Sequence, residues 1–146
     1  VSAAALIVAA VSPLTIRAEL KDVTIKTIGQ ADALLCCDKS WIAEAITNLI
    51  KNCVEHTPSG GTVTVSCTNN PLHFELCITD TGNGFTPEDL PHIFERFYRG
   101  KDAKSDSVGI GLALSKAILN RQNAELSAQN VDSGAQFTVR FYKLIL

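Results

Sequence analysis

The chain has 146 residues, of which 46% are hydrophobic and 19% charged, with 9 Gly and 5 Pro. This composition is typical of one globular domain around one core, and it excludes collagen-like, disordered and low-complexity proteins. A formal net charge of -2 excludes a strong overall field for nucleic acid, so any anion-binding site has to be local and we expect no nucleic-acid partner.

The N-terminal segment, residues 1–11, is the most apolar stretch of the chain. It has about half of the ~20 residues that a membrane-spanning helix needs, so we expect no membrane contact from it. The chain contains no Met. We therefore interpret residues 1–146 as a single domain of a larger protein, with residues 1–12 as the remnant of a connection to a missing partner domain.

The five cysteines are an odd number, and none of them is part of a C-x-x-C pair that could hold zinc or a redox couple. They are Cys36, Cys37, Cys53, Cys67 and Cys77. Because free Cys behaves as a small apolar core residue, we expect unpaired thiols in a reducing cytoplasm.

The first half of the chain predicts three short strands and a long helix. Residues 14–18, 23–28 and 33–37 are short, apolar or β-rich runs. Asp38 or Ser40 then offers an N-cap, and from Trp41 to Val54 the apolar residues recur at the i, i+3, i+4, i+7 spacing of an amphipathic helix.

The second half predicts two hairpins separated by helices. Residues 62–68 and 72–79 alternate with period two, as do residues 125–129 and 135–142, and residues 80–85 form a turn. Residues 87–97 hold one or two short helices, residues 100–107 are a candidate mobile lid, and residues 109–120 return to helical spacing. The order predicts a two-layer α/β (α+β) sandwich with helices on one face of a mostly antiparallel mixed sheet.

A polar stripe follows the first long helix, where Glu44, Asn48, Asn52 and His56 recur every four residues on one side. Solvated faces seldom stack Asn, which is a mediocre helix former. Amide oxygens are suitable ligands for Mg²⁺ beside phosphate groups. A plain solvated face is the alternative.

Two glycine-rich segments indicate a nucleotide. Asp80 ends an apolar strand before Gly82 and Gly84, so its carboxylate can accept a hydrogen bond from an exocyclic amine while the glycines let a flat base approach. Residues 109–112, Gly-Ile-Gly-Leu, precede a helix whose free N–H groups favour phosphate. Each segment alone is also typical of an ordinary turn or helix cap.

Four segments in order, residues 48–57, 80–84, 93–99 and 109–114, resemble the N-box, first glycine box, F-box and second glycine box of the catalytic domain of bacterial two-component sensor histidine kinases. The resemblance implies the Bergerat fold shared with gyrase, heat-shock chaperone and mismatch-repair ATPases. It implies that the chain binds ATP and Mg²⁺ and transfers the γ-phosphoryl group to a histidine on a separate dimerisation domain. The response regulator receiver domain is then an indirect partner, and the parent is a membrane-bound sensor kinase with this domain in the cytoplasm.

The resemblance also implies roles for individual residues. Asn52 holds magnesium, with Asn48 and His56 one turn away near the phosphates, and Asp80 reads adenine in a pocket shaped by Gly82 and Gly84. Arg99 assists phosphotransfer. The second glycine box flanks the triphosphate through Gly109, Ile110, Gly111 and Leu112. Phe94 and Phe97 of the F-box have core packing as an alternative role.

Three departures from the family pattern stand out. Ser107 occupies the place of a third lid glycine, and Glu55 occupies the place of a phosphate-contacting Lys, so that contact is either lost or supplied by Lys101 or Lys104. The three histidines, His56, His73 and His92, lack the context of a phosphoacceptor helix. We therefore expect the acceptor to lie outside this chain, which is not active alone.

Two alternatives remain at the level of sequence. A serine kinase of the anti-sigma-factor type has a similar fold, and there Glu44 is the general base and Asn48 holds magnesium. A nucleotide-binding module without transfer activity is the second alternative, because the acceptor is missing. A histidine acceptor already has a lone pair, whereas a serine hydroxyl needs a base.

Overall fold

The computed structural model describes residues 1–29, 31–98 and 111–143, in which helices cover one face of a five-stranded mixed sheet. The predicted α/β sandwich is confirmed. Its elements in chain order are α1 Ala3–Val11, α2 Thr15–Lys21, β1 Thr24–Gly29, α3 Lys39–His56, β2 Thr62–Asn69, β3 His73–Asp80, α4 Gly111–Arg121, β4 Ala124–Val131 and β5 Gly134–Tyr142. Two 3₁₀ helices, Ser12–Leu14 and Leu90–His92, complete the set among the described residues.

The sheet has the strand order β1-β2-β3-β5-β4, and β1 and β2 are parallel whereas the other neighbours are antiparallel. Side chains alternate between its two faces, and every second residue of β3 from Phe74 onward is buried against the helices. The register pairs Val63 of β2 with Asp80 and Thr79 with Gln136 of β5. Asp80 therefore ends the central strand beside the first residues of β5.

Helix α3 is the predicted amphipathic helix and forms the centre of the helical layer. Asp38, and not Ser40, is its N-cap, because Asp38 Oδ1 accepts a hydrogen bond from the Trp41 backbone N–H at 3.0 Å. Its apolar face is fully buried and consists of Ile42, Ala45, Ile46, Leu49, Ile50, Cys53 and Val54. The polar stripe on the opposite side is thereby fixed relative to the sheet.

The predicted strand at residues 14–18 is wrong, because Leu14 ends a 3₁₀ helix and the following residues belong to α2. The buried residues of this segment are Leu14 and Ala18, which are four positions apart. That spacing is the period of a helix, whereas a strand would bury alternate residues. Thr15 and Ile16 have individual preferences for strands, but the burial of one helical face of the segment overrides those preferences.

The predicted strand at residues 33–37 is also wrong, although its burial alternates. Ala33 and Leu35 are buried and Leu34 is exposed. The segment makes one isolated bridge, Ser2 to Leu34, with the N-terminus and does not join the sheet. Residues 87–97 contain a single 3₁₀ helix followed by turns, and the lid predicted at residues 100–107 lies outside the described residues.

Residues 3–21 form a helical stretch that is long and apolar enough, by length and composition alone, to cross a membrane. One side of it packs into the core: Leu6 and Ala10 are buried, and the Thr47 hydroxyl of α3 donates to the Ala10 carbonyl at 2.9 Å. Helix α1 is therefore part of the packed domain. The interpretation of residues 1–12 as a connection stays a prediction.

Helix α4 is attached to α3 by a buried hydrogen bond, in which the Ser115 hydroxyl donates to the Ala45 carbonyl at 2.9 Å. Replacing Ser115 with Ala should lower the free energy of unfolding by about 1 kcal/mol, the usual net value of such a bond. Urea unfolding followed by circular dichroism measures the change. The matched control is Ser127→Ala on the exposed side of β4, which should stay within about 0.5 kcal/mol of the parent. Equal losses in both variants would contradict the role of Ser115.

Candidate functional site

Asp80 is the one buried carboxylate in the described part of the chain, and it is only 2% exposed. Its Oδ1 accepts hydrogen bonds from the backbone N–H groups of Gly82 and Ala135, both at 3.0 Å. Since a buried carboxylate is costly unless it is hydrogen-bonded, these two donors compensate its burial. They also hold the carboxylate in one orientation, in which Oδ2 takes part in neither bond.

Two glycines make this arrangement possible. A Cβ at Gly134 would lie 2.4 Å from Asp80 Oδ1, and a Cβ at Gly82 would lie 2.4 Å from the carbonyl oxygen of His56. Neither distance is compatible with a side chain, so the carboxylate and the loop are placed where only glycine fits. Gly82 is one of the predicted site residues, whereas Gly134 lies between the two strands of the second predicted hairpin and carries no predicted role.

Cys53 of α3 lies next to Asp80, and its thiol is buried. Burial raises the pKa of the Cys53 thiol well above its ordinary value, and the charge and hydrogen bond of Asp80 raise this pKa further. The thiol is therefore protonated at neutral pH and remains a donor. All five cysteines are free, as predicted, but Cys36 is exposed.

The stripe Glu44, Asn48, Asn52 and His56 lies along one side of α3, as predicted. Asn48 and Asn52 are half-buried, whereas Glu44 and His56 are exposed, so the centre of the stripe differs from a fully solvated helix face. Asn52 directly precedes Cys53, and the carbonyl of His56 lies against Gly82. The C-terminal half of the stripe therefore adjoins the buried carboxylate.

Helix α4 brings a third element to this place. It runs antiparallel to α3, since Ser115 meets Ala45 and the Gln122 side chain accepts a hydrogen bond from the Asp38 backbone N–H. Its N-terminus at Gly111 therefore points toward the half of α3 that carries Asn52. A helix N-terminus favours anions. Leu112 packs against the core, and a Cβ at Gly111 would meet no atom within 4 Å.

The loop that follows β3 is held at its far end by β4. The Asn130 amide accepts from the Phe85 backbone N–H at 2.8 Å and donates to the Phe85 carbonyl at 2.8 Å. Gly84 has φ +76°, which favours glycine, and lies against the same Asn130 side chain. This role of Asn130 could not be predicted from the sequence, because an exposed Asn in a strand carries no signal of the contact.

The two F-box phenylalanines differ in role. Phe94 packs on the buried Phe137 at a ring-centroid distance of 6.1 Å, with Lys116 Nζ 4.9 Å from its ring centroid. Phe97 is 60% exposed and has φ +67°, with the Arg96 guanidinium 5.1 Å from its ring centroid. The alternative of core packing therefore holds for Phe94 and not for Phe97.

Glu55 is turned toward α2, where its carboxylate pairs with Arg17 at 3.1 Å across a partly exposed surface. A pair of this kind contributes little to stability. Arg99, Gly109 and Ile110 were predicted as site residues, and they lie outside the described residues. The same is true of the second-glycine-box departure Ser107 and the two candidate lysines, Lys101 and Lys104.

The described residues thus place a hydrogen-bond acceptor, amide oxygens and a helix N-terminus around one region between α3, α4 and the end of β3. Among residues 1–29, 31–98 and 111–143, no group of three or more His, Cys, Asp or Glu side chains could hold a metal ion. A cation at this place would take amide oxygens, water and ligand oxygens, which suits Mg²⁺ rather than zinc. The arrangement is chemically suited to a ligand that carries both a hydrogen-bond donor and an anionic group.

Residues 37–144 match the family model described as histidine kinase-, DNA gyrase B- and HSP90-like ATPases. Among curated proteins, the sensor-like histidine kinase SenX3 of Mycobacterium tuberculosis is 29% identical over 140 residues, which are 93% of this chain and 34% of SenX3. The chain therefore spans about a third of the length of this relative.

Two solved structures resemble the chain closely. The mycobacterial sensor histidine kinase MprB superposes with a TM-score of 0.88 at 26% identity, covering 97% of this chain and 96% of that one. Histidine kinase ThkA, in complex with the response regulator protein TrrA, superposes with a TM-score of 0.82 at 16% identity, covering 99% of this chain and 41% of that one. At 16% identity the second likeness concerns the fold alone.

The contact between Gly82 and the His56 carbonyl predicts the effect of a single added methyl group. Gly82→Ala should lower the free energy of unfolding by about 1–3 kcal/mol, because backbone atoms have to move to admit the side chain. Thermal and urea unfolding without nucleotide measure the loss. Gly111→Ala is the control, since its Cβ would meet no atom within 4 Å. A Gly82→Ala variant as stable as Gly111→Ala would contradict the packed loop.

Proposed function

Because the chain belongs to the family of histidine kinase-, DNA gyrase B- and HSP90-like ATPases, we propose that it is the ATP-binding catalytic domain of a sensor histidine kinase. In this proposal it transfers the γ-phosphoryl group of ATP to a histidine on a separate dimerisation domain of the parent protein. The observation that carries the proposal is the buried, oriented carboxylate of Asp80 beside the Asn stripe of α3.

Asp80 supplies the specificity for adenine. Both backbone donors occupy Oδ1, so Oδ2 is the atom that accepts a hydrogen bond from the exocyclic amine of the base. Guanine carries an oxygen at that position, and two acceptors facing each other would repel. Gly82 and Gly84 keep the loop free of side chains, so the flat base reaches the carboxylate.

Asn52 is the residue that would hold Mg²⁺, with Asn48 one turn earlier near the phosphates, since an amide oxygen on a half-buried helix face fits a hard cation that keeps several waters. When bound, this ion neutralises part of the triphosphate charge. His56 lies one turn beyond Asn52 and donates toward the phosphates from the exposed end of α3. The N-terminus of α4 adds backbone N–H groups that act on the same charge.

The phosphoryl transfer requires little covalent chemistry from this chain. The acceptor imidazole attacks the γ-phosphorus in line, and the domain positions ATP and stabilises the spreading negative charge. Arg99 is proposed to assist at that charge. The acceptor histidine is supplied by the dimerisation domain, and a response regulator receiver domain is proposed to take the phosphoryl group next. ThkA, whose fold this chain shares, forms a complex with a response regulator protein.

The serine-kinase alternative places the metal on Asn48 and a general base on Glu44. Asn52 adjoins the residue that contacts Asp80, whereas Glu44 is exposed and lies two turns away, about 12 Å along the helix. The similarity to SenX3 and MprB also favours the histidine kinase over this alternative and over a module without transfer activity. Free thiols fit a cytoplasmic location for the domain.

Asp80→Asn tests the base-reading role directly, because the variant keeps an oxygen for the backbone N–H groups of Gly82 and Ala135 and replaces Oδ2 by an amide NH2 group. ATP affinity should fall by about 1.5–3 kcal/mol, roughly 10- to 150-fold in Kd, the cost of losing a hydrogen bond to a charged group. GTP binding should be weakened less, since the exocyclic oxygen of guanine can accept a hydrogen bond from the new amide NH2 group. Calorimetry with both nucleotides gives the ratio, and unchanged ATP affinity in a folded variant would refute the assignment.

A pair of variants on one helix separates the two kinase classes. Asn52→Ala should abolish phosphotransfer to the dimerisation domain of the parent protein, while Glu44→Ala should retain most of it, because an imidazole needs no base. In a serine kinase the loss of the base would instead cost about 10²–10⁴ in rate. Radiolabelled transfer followed by acid treatment provides the measurement, since phosphohistidine is hydrolysed and phosphoserine survives. An acid-stable product that depends on Glu44 would contradict the proposal.

A further inference from the structure

We propose that Asn130 on β4 is a positioning residue for nucleotide recognition, which holds the loop of residues 80–85 in the shape that the base requires. The inference rests on the proposed function, since it assigns a new residue to the same site. Asn130 is remote in sequence from every motif that resembles the family. It lies at the end of the β4–β5 hairpin, one strand away from Asp80.

The amide of Asn130 meets the Phe85 backbone as a strand partner would. Its oxygen accepts from the Phe85 N–H and its nitrogen donates to the Phe85 carbonyl, and both distances are 2.8 Å. The Asn130 side chain therefore satisfies both the backbone N–H and the backbone carbonyl of Phe85. Asn is suited to this because it carries a donor and an acceptor on the same planar group.

The contact matters because the other hydrogen bonds of this loop in the described structure lie at its start, where the Thr81 hydroxyl accepts from the Thr62 backbone N–H at 3.0 Å. Asp80 fixes its near end through the Gly82 N–H. Between Gly82 and Phe85 lie Asn83, which is exposed, and Gly84 at φ +76°. Glycine has more conformational freedom than any other residue, so an unpinned loop would sample many shapes.

Asn130 also connects the loop to the aromatic cluster under it. With its backbone held, Phe85 places its ring edge-on against Phe137 at a centroid distance of 5.8 Å. A Cβ at Gly84 would lie 2.7 Å from Asn130 Oδ1, so this side chain closes directly on the glycine. The loop is thus clamped between β3 and β4, and the surface it offers to a base depends on the clamp.

A purely structural role would affect stability and leave recognition unchanged, so the test compares two ligands. Asn130→Ala should weaken ATP binding about tenfold, since part of the binding energy is then used to order the loop. Inorganic tripolyphosphate, which has no base, should bind the variant as it binds the parent. Calorimetry measures both affinities, and hydrogen exchange of residues 81–85 without ligand should be faster in the variant.

Two further variants sharpen the result. Gln129→Ala removes the neighbouring side-chain bond across the hairpin, from Gln129 Nε2 to Gln136 Oε1 at 2.8 Å, and should leave ATP affinity unchanged. Asn130→Asp has the same shape but cannot donate to the Phe85 carbonyl at neutral pH, so it should bind ATP as weakly as Asn130→Ala. This variant separates loss of the donor from loss of packing.

The outcomes are distinct. A parent protein that does not bind ATP would overturn the proposed function and this inference with it. A parent that binds ATP, with Asn130→Ala or Asn130→Asp binding equally well, would overturn the positioning role alone. Equal losses for ATP and tripolyphosphate would also overturn it, because the damage would then not be confined to the base.

Discussion

The buried carboxylate of Asp80 is the constraint on which the rest of the site depends. A buried carboxyl group has to be compensated by hydrogen-bond donors, and two of them are backbone N–H groups that the fold brings from different segments. That requirement fixes the start of β5, the turn after β3 and the absence of side chains at Gly82 and Gly134. Both backbone donors use the same oxygen of the carboxylate, Oδ1, and neither uses Oδ2.

The helices are organised around the same place. Helix α3 buries one face against the sheet and directs its polar stripe past Asp80, and α4 is held antiparallel to it by Ser115. Apolar burial sets the rotation of α3, since its seven buried residues leave only one side for the Asn stripe. Core packing and the position of the polar stripe are therefore two consequences of one sequence pattern.

Much of this architecture could be predicted because the helical and alternating patterns of hydrophobic residues each extend over many residues. Helix α3 shows four to five turns of helical spacing, and each strand of the two hairpins has alternation over several residues. Residues 14–18 are too few to distinguish the helical period from the alternating period of a strand. In the structure, the burial of Leu14 and Ala18 shows that the segment is helical. Residues 33–37 alternate between buried and exposed side chains as a strand would. Whether such a segment pairs with the sheet depends on which strand lies beside it in the fold, and a local sequence pattern does not show that.

The candidate side chains of the site were predictable from the sequence, because Asn and His recur every four residues and Asp80 ends an apolar strand before two glycines. The groups that orient them were not, since the partners of Asp80 are a backbone N–H 55 residues away and a thiol that looks like ordinary core. Asn130 belongs to the same class of hidden partners. Such contacts depend on the register of β3 and β5, which no local pattern reveals.

The separation of Asp80 and Ala135 along the chain has a further consequence for assembly. Each hairpin can form locally, whereas the pairing of β3 with β5 closes a long loop and is slower. The carboxylate acquires its second backbone donor only when that closure is complete, so an unfolded or half-assembled chain has no recognition surface. Ligand occupancy is therefore coupled to folding by mass action, and a nucleotide-saturated domain gains stability in proportion to the logarithm of ligand concentration.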